Sequence, residues 1–389
     1  MKLLFAADIC LQYSPFSFTK ELAQEIMRSP KPYFSDADFS VLNLENVIGN
    51  KENYQPITKA GPNLMSTPDS FEIIKALNPT VVNLANNHGY DYGEKALFDT
   101  MQLLKDNGYQ VIGAGKNLEE GYAPAVLEKD GVSVAIIGFC ENEEGVATEF
   151  QSGTAGLRLA YVKRAIDTAL KNGCKPILFF HGGNETNPFP SPRKTELYRL
   201  FVDMGAAAVV CMHPHCPQGV ETYKGAPIIY SMGNFFFPTP ASWNTLPSWQ
   251  YGYMTSLTVD KDEIKTEIIP YKFDTESLTV LEGDEKAEFM RYIDYISAPI
   301  SDPKKIQAYF DSWSAGPAGD GYCNHAYRFS PELVETVTPP VPSVKNMFTC
   351  EAHTELMSTR LQLVCERRLE QAKAYVDEIA LLQQMKIPE

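Results

Sequence analysis

Six histidines occur in this 389-residue chain, and four of them fall where apolar, strand-like runs end: His88, His181, and the pair in His213-Pro214-His215. Neutral imidazole is the commonest nitrogen ligand of first-row metals, and carboxylates suit positions between two cations. A His-x-His on a turn after a strand can direct both rings to one locus and serve two neighbouring ions. Asp8, Glu45 and Asn87 follow apolar runs in the same way. One bridging carboxylate (Glu45), one terminal carboxylate (Asp8), one amide oxygen (Asn87) and three imidazoles (His181, His213, His215) would hold two divalent ions. Such ions, about 3.5–4 Å apart, activate a water between them and stabilise the opposing oxygens of a displacement.

These residues need elements to carry them. Apolar runs at 2–7, 39–44, 80–85, 109–113, 176–180, 207–211 and 228–231 read as strands, and a hairpin joins 124–128 to 132–139 through Lys129-Asp130-Gly131. Helical periodicity covers 93–107, closed by Gly108, and then 160–171 and 193–204. Strands alternating with helices imply an α/β domain with a largely parallel sheet, and the hairpin with the later strands implies a second, mixed sheet. In open α/β sheets, ligands bind beyond the carboxyl ends of the strands. Five strand ends would therefore bring Asp8, Glu45, Asn87, His181 and His213 to one edge.

Past residue 240 the texture changes. Residues 251–259 and 263–271 alternate as strands around Asp260-Lys261-Asp262. The stretch 282–345 is rich in Pro, Ser, Gly and Asp, with helical patches at 285–296 and 303–314. Residues 351–385 form one long helical pattern with Leu361, Val364, Leu369, Ala372, Val376, Ile379 and Leu382 on one face. The expected architecture is a four-layer α/β sandwich of two mixed β-sheets flanked by helices over 1–275. A mainly helical extension over 276–389 would pack on it, with a homodimer contact as the alternative use of the last helix.

Bulk composition sets limits. A formal charge of −15 argues against nucleic acid and anionic membranes as partners. The N-terminal apolar run stops at Asp8, too short for a signal-peptide core, and no apolar stretch reaches the roughly 20 residues of a membrane-spanning helix. Eight cysteines include no C-x-x-C pair, and several lie in strand-like runs. The expectation is a cytoplasmic protein with reduced, buried thiols and no transmembrane segment.

The ordered motifs Ala7-Asp8-Ile9, Asn43-Leu44-Glu45-Asn46, Leu84-Ala85-Asn86-Asn87-His88 with Asp91 and Gly93, His181-Gly182-Gly183-Asn184-Glu185, His213-Pro214-His215 and Ser231-Met232-Gly233-Asn234-Phe235 carry a resemblance. Over about residues 1–240 the chain resembles the calcineurin-like metallophosphoesterases and, more closely, the bacterial CapA family linked to poly-γ-glutamate capsule synthesis. The resemblance implies one metal held by Asp8, Glu45 and His215, and a second by Asn87, His181 and His213, with Glu45 shared. It implies His88 as the general acid, and Asn86, Glu185 and Asn234 as substrate or supporting contacts. The ions would be Mn, Fe, Zn or Mg. The chain departs from the metallophosphoesterase pattern twice. Cys10 stands where a ligating histidine is usual, and is either a ligand or an inert buried thiol. Gly182 replaces a frequent aromatic, which would enlarge or reshape the pocket.

Plainer readings apply elsewhere. His325 and His353 read as satisfied histidines, Phe235–Phe237 as core, and the aromatics Trp243, Trp249, Tyr251 and Tyr253 equally as pocket wall or sheet cap. The function implied is hydrolysis of a phosphoester or a glutamyl amide by a metal-bound hydroxide, with an anionic small molecule or a glutamyl polymer as substrate. Two other readings compete: a non-catalytic polymer-binding or assembly component of capsule synthesis, and a small-molecule phosphatase unrelated to capsule.

Overall fold

A computed structural model describes residues 1–243, 245–326 and 340–388. Two mixed sheets form its centre. The first has eight strands. Seven run in the order Leu278–Val280, Ile264–Phe273, Tyr251–Val259, Lys2–Ile9, Phe39–Leu44, Val81–Asn83 and Gln110–Ile112, and Asn234–Phe236 also pairs with Lys2–Ile9. The second has six, in the order Val220–Tyr223, Ala226–Ile229, Ala208–Met212, Lys175–His181, Val132–Cys140 and Ala125–Lys129. In the second sheet parallel pairing holds the middle and antiparallel pairs close both edges, whereas the first is parallel from Lys2–Ile9 to the Gln110–Ile112 edge and antiparallel from Lys2–Ile9 to the Leu278–Val280 edge.

Alternation along the strands explains the layers. In Lys175–His181, Ile177 and Phe179 join the core shared with Leu3, Phe5 and Val41 of the other sheet, and Phe5 meets Phe179 with ring centroids 5.6 Å apart. The intervening Leu178 and Phe180 turn the other way, into a second core with Val162 and Ile166 of helix Leu159–Lys171 and Tyr198 and Phe201 of helix Pro192–Asp203. A period of two thus assigns each residue to the inter-sheet or the helix-facing core. Both faces being covered, these strands read as unbroken apolar runs in the sequence.

The first sheet extends to Val280, so the helical region starts at Gly283. Its helices are Gly283–Ser297, Pro303–Ala315, Pro317–Ala326, Pro340–Thr349 and Glu351–Cys365. Here the reading of one long helix over 351–385 needs correction. Arg367 adopts a left-handed backbone (φ 57°) and ends the first segment. Leu369–Ala372, a 3-10 turn at Lys373–Tyr375 and Val376–Gln383 follow. Ala372, Ile379 and Leu382 are buried as expected, but Leu361 and Val364 are about half exposed. A periodic stripe records which positions can face a core, and it cannot show that the axis turns between them. The helical region docks through Phe189 stacked on Tyr309 (4.0 Å) and through Arg193, which pairs with Glu141 and Glu355. Among the described residues no helix is long and apolar enough to cross a membrane.

All eight cysteines are free. Six are buried, Cys323 is partly so and Cys365 is exposed. The His325 side chain lies outside the described residues.

Candidate metal centre

Asp8 sits on the central strand of the first sheet beside a register shift between Ala6 and Asp8 against Phe39–Leu44. An extra residue in one strand re-aims the side chains that follow it. The Asp8 carboxylate is then fixed from two sides. Asn43 donates to Oδ1 (2.7 Å) and the backbone N–H of His213 donates to Oδ2 (3.0 Å). Asn43 in turn accepts from Asn83 (2.8 Å), so a relay of amides spans three adjacent strands. The His213 contact ties the two sheets together at the site.

Glu45 follows Phe39–Leu44, His181 ends Lys175–His181, and His213 and His215 lie in the turn after Ala208–Met212. Both turn histidines have positive φ, 96° and 54°. Such conformations cost about 1–3 kcal/mol each and persist where the surroundings impose them, commonly at functional sites. The outcome is three groups of side chains whose ligand-type atoms lie within 4.8 Å of one another: Asp8, Glu45 and His215; Glu45, His181 and His213; and Glu185, His213 and His215. Glu45 belongs to both of the first two. His181 Nε2 stands 3.5 Å from Asp8 Oδ1 and 3.4 Å from Glu45 Oε1.

Unsatisfied atoms give the fit test. Both Glu45 oxygens, Asn87 Oδ1, His181 Nε2 and His213 Nδ1 are buried without a hydrogen-bond partner. A buried polar atom left so costs about 1–3 kcal/mol, and a fully buried carboxylate costs more. Among the described residues, the four on Glu45, His181 and His213 fall in one of the three groups, the pattern of a cation-binding cluster, and its nitrogen and oxygen donors suit divalent first-row ions.

Electrostatics agree. Burial, reinforced by Glu45, raises Asp8 to about 7, and burial also raises Glu45. Burial lowers His181 to about 4 and drives His213 well below the usual imidazole range, with the neighbouring imidazoles adding to it. Burial would lower His215 as well, but Glu45, Glu185 and Asp8 outweigh it and raise its pKa. Carboxylates reluctant to ionise beside two imidazoles reluctant to protonate, His181 and His213, are groups that a cation relieves together.

His88 lies beside this cluster on the loop after Val81–Asn83, its Nδ1 2.6 Å from Asp91 Oδ2. Asp91 also accepts from Lys59 Nζ (2.6 Å) and the Leu64 N–H (2.6 Å), and Lys59 donates to the Asn87 carbonyl (2.7 Å). With Nδ1 facing the carboxylate, the ring is held in one orientation. Burial works against ionisation of Asp91, yet His88 and Lys59 hold its pKa below the usual range.

Of the expected supporting residues, Asn234 accepts at Oδ1 from His215 Nδ1 (2.7 Å), which leaves Nε2 on the Glu45 side (3.7 Å). Trp249 packs its indole on the same imidazole at 4.5 Å. Of the four aromatics, it thus belongs to the site, and Trp243 instead packs on Tyr13. Asn86 is internal scaffolding: it bonds Asn43 and the Leu44 carbonyl and accepts from the His88 N–H. Cys10 is fully buried, burial raises its thiol well above the ordinary range, and its sulfur is in none of the three groups. The space expected at Gly182 is filled, since a Cβ there would come within 2.6 Å of Glu141 Cγ.

A cavity of about 560 Å³ opens over Asn87, His88 and Glu185. Lys59 also lines it, and Tyr322, Asn346 and His353 of the C-terminal helices build part of its wall. The sequence reading missed these wall residues and treated His353 as an ordinary satisfied histidine. Lys59, Asp91 and Asn43 also went without roles, and only the three-residue spacing of His88 and Asp91 offered a signal.

Residues 2–239 match the family described as bacterial capsule synthesis protein PGA_cap. The chain belongs to this family. Within it, the chain is 33% identical over 220 residues to the capsule biosynthesis protein CapA of Bacillus anthracis, covering 54% of this chain and 53% of that one. It is 31% identical over 238 residues to the PGA biosynthesis protein CapA of Bacillus subtilis, covering 60% and 62%. The chain thus spans between half and two thirds of the length of these PGA_cap relatives. The fold is also similar to the 5'-nucleotidase precursor of Thermus thermophilus, at 14% identity and a TM-score of 0.42, over 72% of this chain and 54% of that one. The PGA_cap match contains Asp8, Glu45, Asn87, His181, His213 and His215, and it stops short of the helices that wall the cavity.

Proposed function

We propose that this PGA_cap member is a dinuclear-metal hydrolase acting on a phosphoester or a glutamyl amide, in the service of capsule-polymer synthesis. One observation carries the reading: two groups of ligand-type atoms share buried Glu45, and most of the atoms lining them have no other partner. Asp8, Glu45 and His215 would hold one ion, and Glu45, Asn87, His181 and His213 the other. When bound, two divalent ions supply Lewis acidity and lower the pKa of a water. The chain's own part is orientation and proton delivery. Asn43 and Asn234 fix Asp8 and His215. His88, oriented by Asp91, presents its other nitrogen toward the cavity to protonate a leaving group.

Cavity chemistry favours a second reading of the substrate. A volume of about 560 Å³ suits a small molecule, and Glu143 and Glu185 on the wall would repel a long run of glutamates. Purified, metal-loaded protein assayed on aryl phosphodiesters, nucleotides and γ-glutamyl oligomers separates these readings. Turnover lost in His88→Ala supports the hydrolase, and the substrate cleaved identifies the bond. Metal retention with no turnover on any of the three classes would leave a polymer-binding or assembly role instead.

A further inference from the structure

Glu185 has no role in the two-ion arrangement above. Its side chain is exposed, and among the described residues it makes no hydrogen bond or ion pair. Its carboxylate nonetheless lies within ligand range of both His213 and His215. Those two imidazoles belong to different Glu45 groups, His213 with His181 and His215 with Asp8. A carboxylate that reaches both therefore spans the same pair of positions as Glu45, but from the exposed side facing the cavity.

We propose that Glu185 is a shared ligand of the two metal ions, closing the centre from the cavity side while Glu45 closes it from within. This rests on the dinuclear reading. It also answers the departure at Cys10, whose sulfur belongs to none of the ligand groups. A third carboxylate beside Asp8 and Glu45 brings the ligand charge to −3 against two divalent cations, so the loaded centre keeps a single excess positive charge for an anionic group.

The loop that carries Glu185 is held from beyond the family domain. Asn184 donates to the Ala352 carbonyl (3.1 Å) and Gln383 donates to the Thr186 carbonyl (2.9 Å), so two separate helices of the C-terminal region, Glu351–Cys365 and Val376–Gln383, pin the residues on either side of Glu185. Gly183 and Thr186 both take positive φ, 125° and 59°, which turns the chain sharply around it. The C-terminal helices thereby position a ligand of the metal centre as well as the cavity wall.

The test is Mn(II) titration of metal-free, full-length protein, read by calorimetry and by the electron paramagnetic resonance of free Mn(II). Wild type, Glu185→Gln and Glu185→Ala are compared. The proposal expects two sites in wild type and at least about tenfold weaker binding at one or both in each variant, with unfolding midpoints of the metal-free proteins unchanged. Two sites of wild-type affinity in either variant would overturn the assignment of Glu185 and leave the dinuclear reading standing. Fewer than two sites in wild type would overturn the dinuclear reading itself, and this proposal with it.

Discussion

Replacing Asp91 by asparagine should destabilise the metal-free protein by about 3–5 kcal/mol, the range expected when one partner of a buried ion pair is removed. The carboxylate is 1% exposed and accepts three hydrogen bonds, from Lys59, His88 and the Leu64 N–H, each 2.6 Å. The Lys59 side chain is 2% exposed, and once the charge is gone its ammonium has the Asn87 carbonyl and the neighbouring His88 Nδ1 (3.2 Å) but no anion. Most of the loss therefore comes from stranding a buried ammonium, so Lys59→Met/Asp91→Asn should be less destabilised than Asp91→Asn alone. Equilibrium unfolding in guanidinium measures both. The pH dependence has a definite sign. The folded pKa of Asp91 is depressed, so its contribution is complete above the unfolded value of about 3.9 and is lost as pH falls through the folded value. The gap between wild type and Asp91→Asn should hold steady above about pH 5 and close only in stronger acid. A single variant within about 1 kcal/mol of wild type, or a double variant less stable than Asp91→Asn, would refute the reasoning.

Two further substitutions test the supports of the site. Asn234→Leu removes the acceptor that orients His215 and should weaken metal binding about 10–100-fold in chelator competition, with the strands around it still folded. Arg193→Met leaves Glu141 and Glu355 facing each other without their cation and should cost about 3 kcal/mol. Hydrogen exchange should then speed first in Glu351–Cys365, and exchange that rises equally in Lys175–His181 would contradict a docking role for Arg193.

Much of the sandwich was legible because the central strands of both sheets are covered on both faces. Buried parallel strands write themselves as continuous apolar runs, and the polar residue ending each run marks the functional edge. Asp8, Glu45, His181 and His213 could be found that way. Lys59 could not, since it lies in a loop with no periodicity and reaches Asp91 across 32 residues. Asn43 and Asn83 were hidden within apolar strands, where an amide reads as an interruption and gives no sign of a relay. The cavity wall was illegible for another reason: Tyr322, Asn346 and His353 come from separate helices, and only tertiary packing brings them to the cavity that His88 lines. The same packing breaks the expected long helix at Arg367 while keeping its last apolar positions inside.

Elemental analysis of the purified protein beside a His213→Ala variant tests the central claim most directly. The account predicts about two equivalents of divalent transition metal in wild type and a clear loss in the variant, because His213 belongs to two of the three ligand groups. Wild-type protein that holds no metal after incubation with manganese, iron or zinc would contradict it.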